Sequence, residues 1–182
     1  WKKPEYLEAG FTFDRPGVRI SRLVEALQIF DQLFRGQPAS FHGEHYHLEG
    51  LVLRPLSADR PRPPIMIGGG SPRILGVAAT WADIVSVAVK ATPEGRIDSG
   101  DSTAEGLEEK MRWVRDVAGD RFDRLTINAP LMDVMIGPDA RALARRKLDE
   151  LRSPDSFLAW TKELTEDDLL ASPYFFFGTV AD

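Results

Sequence analysis

The sequence contains no cysteine, which excludes disulfides and thiolate metal sites. No apolar run approaches the roughly 20 residues that a membrane-spanning helix needs. The opening segment, Trp1-Lys2-Lys3-Pro4-Glu5-Tyr6, has lysines without an apolar stretch behind them, so it does not read as a secretory signal. Positive charge is in short supply as well. Against 28 Asp and Glu stand 23 Lys and Arg, a formal net charge of -5, and an acidic surface of this kind disfavours nucleic acid or an anionic membrane as partner. Histidine is scarce, with three in 182 residues, at positions 42, 45 and 47. What these absences leave is a cytoplasmic protein of ordinary globular composition, read as a single domain over residues 1–182. An initiator Met is also missing, and the sequence stops abruptly at Phe177-Gly178-Thr179-Val180-Ala181-Asp182. A piece of a longer protein is therefore expected.

What is present has the rhythm of an α/β protein. Asp14-Arg15-Pro16-Gly17 predicts a helix start, with Asp14 as cap and Pro16 in the first turn. Ile20, Leu23, Val24, Leu27, Phe30 and Phe34 then recur at helical spacing until Gly36. Residues 41–53 change period and are punctuated by Gly43 and Gly50, which predicts a hairpin or extended loop. Arg60-Pro61-Arg62-Pro63-Pro64 reads as a stiff linker. Ile65-Met66-Ile67 is a short, wholly apolar strand of the parallel type. Gly68-Gly69-Gly70 makes the turn, and Ser71-Pro72 opens a helix running to about Trp81. A second apolar strand, Ile84-Val85-Ser86-Val87, completes a βαβ crossover. Residues 90–103 predict a long mobile loop. Ser102 with Glu105 predicts a capping box for a helix whose buried stripe is Leu107, Met111, Val114 and Val117, closed by Gly119. A third strand is expected from Leu125 to Ala129, continuing or bulging through Met132 to Ile136. Gly137-Pro138-Asp139 caps a further helix carrying Leu143, Leu148 and Leu151.

The candidate binding residues are Gly68, Gly69, Gly70 and Ser71. Consecutive glycines allow close backbone approach to a ligand and positive φ without strain. A helix starting there aims its N–H groups and the positive end of its dipole at the same point, and Ser71 adds a hydroxyl. Those are the requirements of a phosphate site. A tight strand-to-helix turn with nothing bound has the same composition. The Walker pattern and the G-x-G-x-x-G spacing are both absent.

The run from Pro64 to Arg73, followed by Ala78-Ala79 and Ala82-Asp83-Ile84, resembles the fifth and sixth strands of luciferase-like monooxygenases. Three further stretches resemble the same family in its own order. Trp1 to Tyr6 with Ala9-Gly10 and Phe13-Asp14-Arg15 is similar to the segment after the fourth strand. Arg19 to Leu33, with Phe41-His42-Gly43-Glu44-His45-Tyr46, is similar to the family's helix and F-x-G-x-x-Y loop. Ser172-Pro173 and Gly178-Thr179 resemble the approach to its last helix and strand. The resemblance implies a (β/α)8 TIM-type barrel, of which this chain supplies strands 5–7. Residues 1–64 would follow strand 4, 65–136 would hold strands 5–7, and 137–182 would be a helical region before the last strand. A closed barrel of this type takes about 250 residues. The resemblance also implies that the glycine loop holds the phosphate of F420, with FMN as the alternative, and that Trp1 lies beside the cofactor. The family's catalytic residues belong to strands before Trp1, so none is assigned here.

The implied function is an oxidoreductase that uses bound F420 or a flavin for hydride transfer or monooxygenation of a small organic substrate. The alternative is a non-catalytic α/β module that keeps only the phosphate loop. Three strands with open edges imply self-association into a homo-oligomer. His45 and His47 would share a strand face as candidate metal ligands, but no cysteine and only scattered carboxylates stand near to complete a set, and no metal site is expected. Asp83 is read as a rim residue. Asp167-Asp168 after Thr165 is read as charge at a helix N-terminus, and Tyr174 to Phe177 as apolar surface that a further strand would cover.

Overall fold

The computed structural model describes residues 3–55, 62–91, 96–153, 156, 158–159 and 161–181. The chain divides into two compact units, Lys3–Ile65 and Met66–Asp182.

The first unit holds helix α1 (Lys3–Glu8), the long helix α2 (Pro16–Phe34) and an antiparallel hairpin of β1 (Ala39–His42) and β2 (His47–Leu51). Asp14 does not cap α2. The cap position is Arg15, and the Asp14 carboxylate pairs instead with Arg22 at 3.1 Å. Pro16 occupies the first turn, as its fixed φ and missing N–H predict. The buried stripe is also rotated from the expected one. Leu27, Ile29 and Leu33 are buried, whereas Phe30 is 45% exposed. The hairpin packs on this side of the helix, so Ile29 and Leu33 meet Ala39, Phe41, Leu48 and Leu53.

The turn of this hairpin is built around one carboxylate. Glu25 on α2 accepts the backbone N–H groups of Glu44, His45 and Tyr46 at 2.8, 3.0 and 3.1 Å. Burial raises the Glu25 carboxyl's pKa, but these three donors outweigh it and the net direction is down. A Cβ at Gly43 would collide with the Glu25 carboxylate and the Phe41 ring, so Gly43 keeps that space open. His45 lies in the turn, off the strand face it was expected to share with His47. His47 instead pairs across the hairpin with His42, the rings 6.2 Å apart, and His42 Nε2 lies 2.9 Å from Glu49. Among the described residues no group of three His, Asp or Glu side chains is arranged to hold a metal ion. Arg60 and Pro61 of the proline-rich linker lie outside the described residues.

The second unit is built on a parallel sheet in the order β3 (Met66–Gly69), β4 (Ile84–Val87), β6 (Thr126–Asn128). Helix α3 (Pro72–Trp81) makes the crossover between β3 and β4. Ile67, Val85 and Val87 are buried on the face that meets the helices, where Leu75, Ala78 and Ala79 of α3 and Val114 of α4 (Ala104–Ala118) are buried too. The Arg121 guanidinium donates to the Ala79 and Ala82 carbonyls and so satisfies the open C-terminal end of α3. Thr103, and not Ser102, caps α4 by accepting the Gly106 N–H at 3.2 Å. Gly119 ends α4 at φ 51° as expected, but Val117 is 53% exposed and Lys110 takes a buried place on the stripe.

Three expectations for the rest of this unit change. The segment 90–103 contains β5 (Ile97–Asp98), paired in parallel with β8 (Leu158–Ala159), and a 3-10 turn at Gly100–Ser102. The third strand is interrupted at Ala129-Pro130-Leu131, where proline removes a ladder donor. Beyond the break, β7 (Asp133–Ile136) joins a separate parallel pair with β9 (Phe175–Gly178). The aromatic run is therefore a strand in its own right. Tyr174 and Phe175 are covered by the chain's own Leu148, Leu151, Leu164 and Leu169, which come largely from α5 (Ala140–Leu151) and α6 (Glu166–Ala171). Asp139 caps α5 as expected. Thr165 and Asp168 form a reciprocal capping box on α6, which accounts for the acidic pair there.

Candidate functional site

The glycine run sits at the C-terminal end of β3, beside the end of β4. Gly68 and Gly69 are paired with Ser86 and Val87 inside the sheet, so the turn itself is only Gly70-Ser71. None of the three glycines has a positive φ. Their role is close approach, and each differs from the next. A Cβ on Gly70 would lie 2.7 Å from the Ala88 carbonyl oxygen, 2.7 Å from the Lys90 nitrogen and 2.8 Å from Lys90 Cα. A Cβ on Gly69 would strike the Ile74 side chain. A Cβ on Gly68 would make ordinary contact with Ser86, 3.4 Å away.

Around this turn lies an apolar concavity of about 380 Å3, walled by Gly68 to Gly70 on one side and by Ala88, Val89, Ala91 and Ile97 on the other. Ser71 takes the N-cap position of α3 with an extended backbone, but its hydroxyl makes no capping bond. Its carbonyl accepts the Leu75 N–H at 3.1 Å. Pro72 has no N–H, so the amide donors of the first turn begin at Arg73. Trp1 lies outside the described residues. The concavity is apolar and lined by small side chains and strand-end backbone, and a helix begins two residues beyond Gly70.

Behind the far wall lies a cluster that the sequence reading passed over. The Asp101 carboxylate accepts the Lys90 backbone N–H at 2.5 Å and the Lys110 ammonium at 2.5 Å. Lys110 also donates to the Asp101 carbonyl at 3.1 Å and to the Tyr174 hydroxyl at 3.3 Å. Lys110 and Tyr174 are fully buried. Burial pushes the Asp101 carboxyl up and the Lys110 ammonium down, each held back by the other's charge and hydrogen bond. Burial, with the Asp101 charge adding to it, pushes the Tyr174 hydroxyl well above its ordinary value. The signal was present in the sequence. Lys110 stands three residues after Leu107 and four before Val114, at a helical spacing that places a cation on the apolar stripe.

The first unit carries a second, more polar concavity of about 560 Å3, which includes Tyr6, Thr12, Asp14, Arg19 and Tyr46. The Arg19 guanidinium stacks 4.3 Å from the Phe13 ring centroid. No local pattern in the sequence marks this hollow.

Parallel strands joined by a helix, with a glycine turn and an apolar pocket at their C-terminal ends, define an α/β protein. The chain belongs to the luciferase-like monooxygenase family, whose model matches residues 1–160. Its fold is similar to that of an F420-dependent secondary alcohol dehydrogenase in complex with an F420-acetone adduct, at TM-score 0.57 and 15% identity, covering 92% of this chain and 51% of that one. It is also similar to the coenzyme F420 dependent tetrahydromethanopterin reductase from Methanopyrus kandleri, at TM-score 0.54 and 18% identity over 75% of this chain and 38% of that one. A third likeness is to the monooxygenase RslO1 from Streptomyces bottropensis, at TM-score 0.55 and 16% identity over 81% and 41%. No curated protein sequence matches. The chain thus spans between about a third and a half of the length of these structures.

Proposed function

We propose that this chain is the glycine-loop portion of an F420- or flavin-dependent oxidoreductase, with Gly68, Gly69, Gly70 and Ser71 cradling the cofactor phosphate. The carrying observation is the apolar pocket at the C-terminal ends of β3 and β4, walled on one side by the glycine run. The backbone of Lys90 and the Ala88 carbonyl approach so closely that no side chain fits at residue 70, and the apolar pocket opens beside that contact. A flavin-type group fits this chemistry in part, since its ring system is planar with one apolar edge and its side chain carries a phosphate. When bound, that group supplies hydride transfer if it is the deazaflavin and dioxygen activation if it is FMN. The chain's residues hold it, orient it and exclude water. F420 is the preferred cofactor, FMN the second, and the substrate is a small organic molecule. Trp1 remains a proposed neighbour of the cofactor.

On this reading β3, β4 and β6 are strands 5–7 of a (β/α)8 barrel, with both compact units parts of that one domain. Among the described residues β3 and β6 each pair on one side only, and no helix is long and apolar enough to cross a membrane. A homo-oligomer in the cytoplasm is part of the same proposal. The test is an equilibrium titration of the full-length protein with F420 and FMN, followed by flavin or deazaflavin fluorescence. Binding of at least one in the micromolar range is expected. No binding of either at tens of micromolar overturns the reading.

A further inference from the structure

The far wall of the glycine pocket hangs on Lys90, and Lys90 is fixed through both of its backbone groups. Its carbonyl accepts the Asp98 N–H at 2.9 Å, and its N–H is given to the Asp101 carboxylate at 2.5 Å. Ala88, Val89 and Ala91, on either side of it, line the pocket, and Lys90 itself abuts Gly70. The Asp101 carboxylate is in turn held by Lys110, whose ammonium is anchored by the Asp101 carbonyl and the Tyr174 hydroxyl. An unbroken series of hydrogen bonds therefore runs from Tyr174, just before β9, through α4, to the residue that packs against Gly70.

Stability alone is a poor reason for this arrangement. Taking a lysine and an aspartate out of water costs about as much as their attraction returns, and a well-packed apolar pair of similar volume often serves as well or better. An apolar pair, however, has no acceptor for the Lys90 N–H. We propose that Asp101 and Lys110 are positioning residues of the cofactor pocket, holding the Ala88–Ala91 wall packed against Gly70 and so fixing the shape of the pocket that opens beside that contact. The proposal rests on the cofactor reading above.

Two double variants of the full-length protein separate positioning from stability. Asp101→Leu/Lys110→Met removes both charges and the acceptor. Asp101→Asn/Lys110→Met removes both charges but leaves an amide oxygen to accept the Lys90 N–H. Each is melted and titrated with FMN and F420 by fluorescence. The Leu/Met pair is expected to melt at or above the parent yet bind cofactor about fivefold or more weakly, a coupling of ordinary size. The Asn/Met pair is expected to bind within about twofold of the parent. Should the Leu/Met pair fail to fold, the smaller Asp101→Ala/Lys110→Met pair removes the same acceptor with less crowding and is expected to show the same weakening. Parent-like affinity in the Leu/Met pair, or affinity that simply follows melting temperature across both pairs, overturns the positioning role. A parent protein that binds neither FMN nor F420 overturns the cofactor reading itself.

Discussion

Replacing Gly70 with alanine tests what the glycine run is for. The new Cβ would sit 2.7 Å from Ala88 O and Lys90 N, where ordinary contact begins near 3.4 Å, so the wall must retreat by roughly 0.7 Å. Both contacts are backbone, held by the Ala88 N–H bond to Gly69 O at 3.0 Å and by the Asp101 bond to Lys90. No side-chain rotation relieves them. Overpacking of this kind costs about 1–3 kcal/mol. For a chain of 182 residues that is a fall in melting temperature of about 2–12 °C. Gly68→Ala is the internal control. Its Cβ would meet Ser86 Cβ at 3.4 Å, and Gly68 has no positive φ, so the added methyl group only reduces the freedom of the unfolded chain. That change is worth about 0.4–1 kcal/mol in favour of folding. Gly69→Ala is expected to be destabilised as well, because it strikes the β and γ carbons of Ile74, a β-branched side chain with one favoured rotamer in a helix. Differential scanning calorimetry of the three variants should place Gly69→Ala and Gly70→Ala both below Gly68→Ala. A Gly70→Ala protein that melts with the parent, or a Gly68→Ala protein that melts lowest, would refute the close-approach argument.

The other predictions concern binding, pH and assembly. Gly69→Val should weaken cofactor binding far more than Ser71→Ala, since a lost hydroxyl contact forfeits only about 0.5–1.5 kcal/mol; comparable titrations of the two would place the phosphate elsewhere. Acid should unfold the protein: Lys147 holds Asp133 below the ordinary 3.8, Arg145 holds Glu166 below 4.5, and Thr165 holds Asp168 below 3.8. Carboxyls depressed in the folded state give stability that is present above those ordinary values and lost as pH falls through the folded ones. Melting temperature should therefore be flat from pH 7 to about 5 and drop below about 4, and a curve that rises on acidification would reverse the sign. Residues 1–182 alone should self-associate through the one-sided strands β3 and β6, because exposed strand edges pair; a monomer in analytical ultracentrifugation with a single cooperative melt and cofactor turnover contradicts this.

The βαβ unit was legible because its signals are local. Apolar β-branched residues at Ile65 to Ile67 and Ile84 to Val87, with Ser71-Pro72 between them, fix strand, turn and helix from neighbours in sequence. The pairing of β7 with β9 joins residues some forty positions apart, which no local pattern encodes. From sequence the third strand continues or bulges through to Ile136 and Phe175-Phe176-Phe177 falls in a helical region, because neither Pro130 nor the aromatic run names a partner. The glycines were visible as a candidate site, and close approach was one of the two reasons the sequence offers for them. The other, positive φ, is absent, and what approaches Gly69 and Gly70 in the structure is a helix side chain and backbone beyond the next strand. Asp101, Lys110 and Tyr174 stayed hidden because each has a bland local reading, and only the fold brings them together.

The most direct test of the phosphate assignment is the backbone amide spectrum of the isotope-labelled full-length protein, recorded with FMN and with riboflavin, which lacks the phosphate. The account predicts that FMN shifts the N–H resonances of Gly69, Gly70 and Ser71 strongly, and that riboflavin at equal occupancy leaves those three nearly in place. Equal shifts with both ligands, or FMN shifts confined to residues away from Gly68–Ser71, would contradict it.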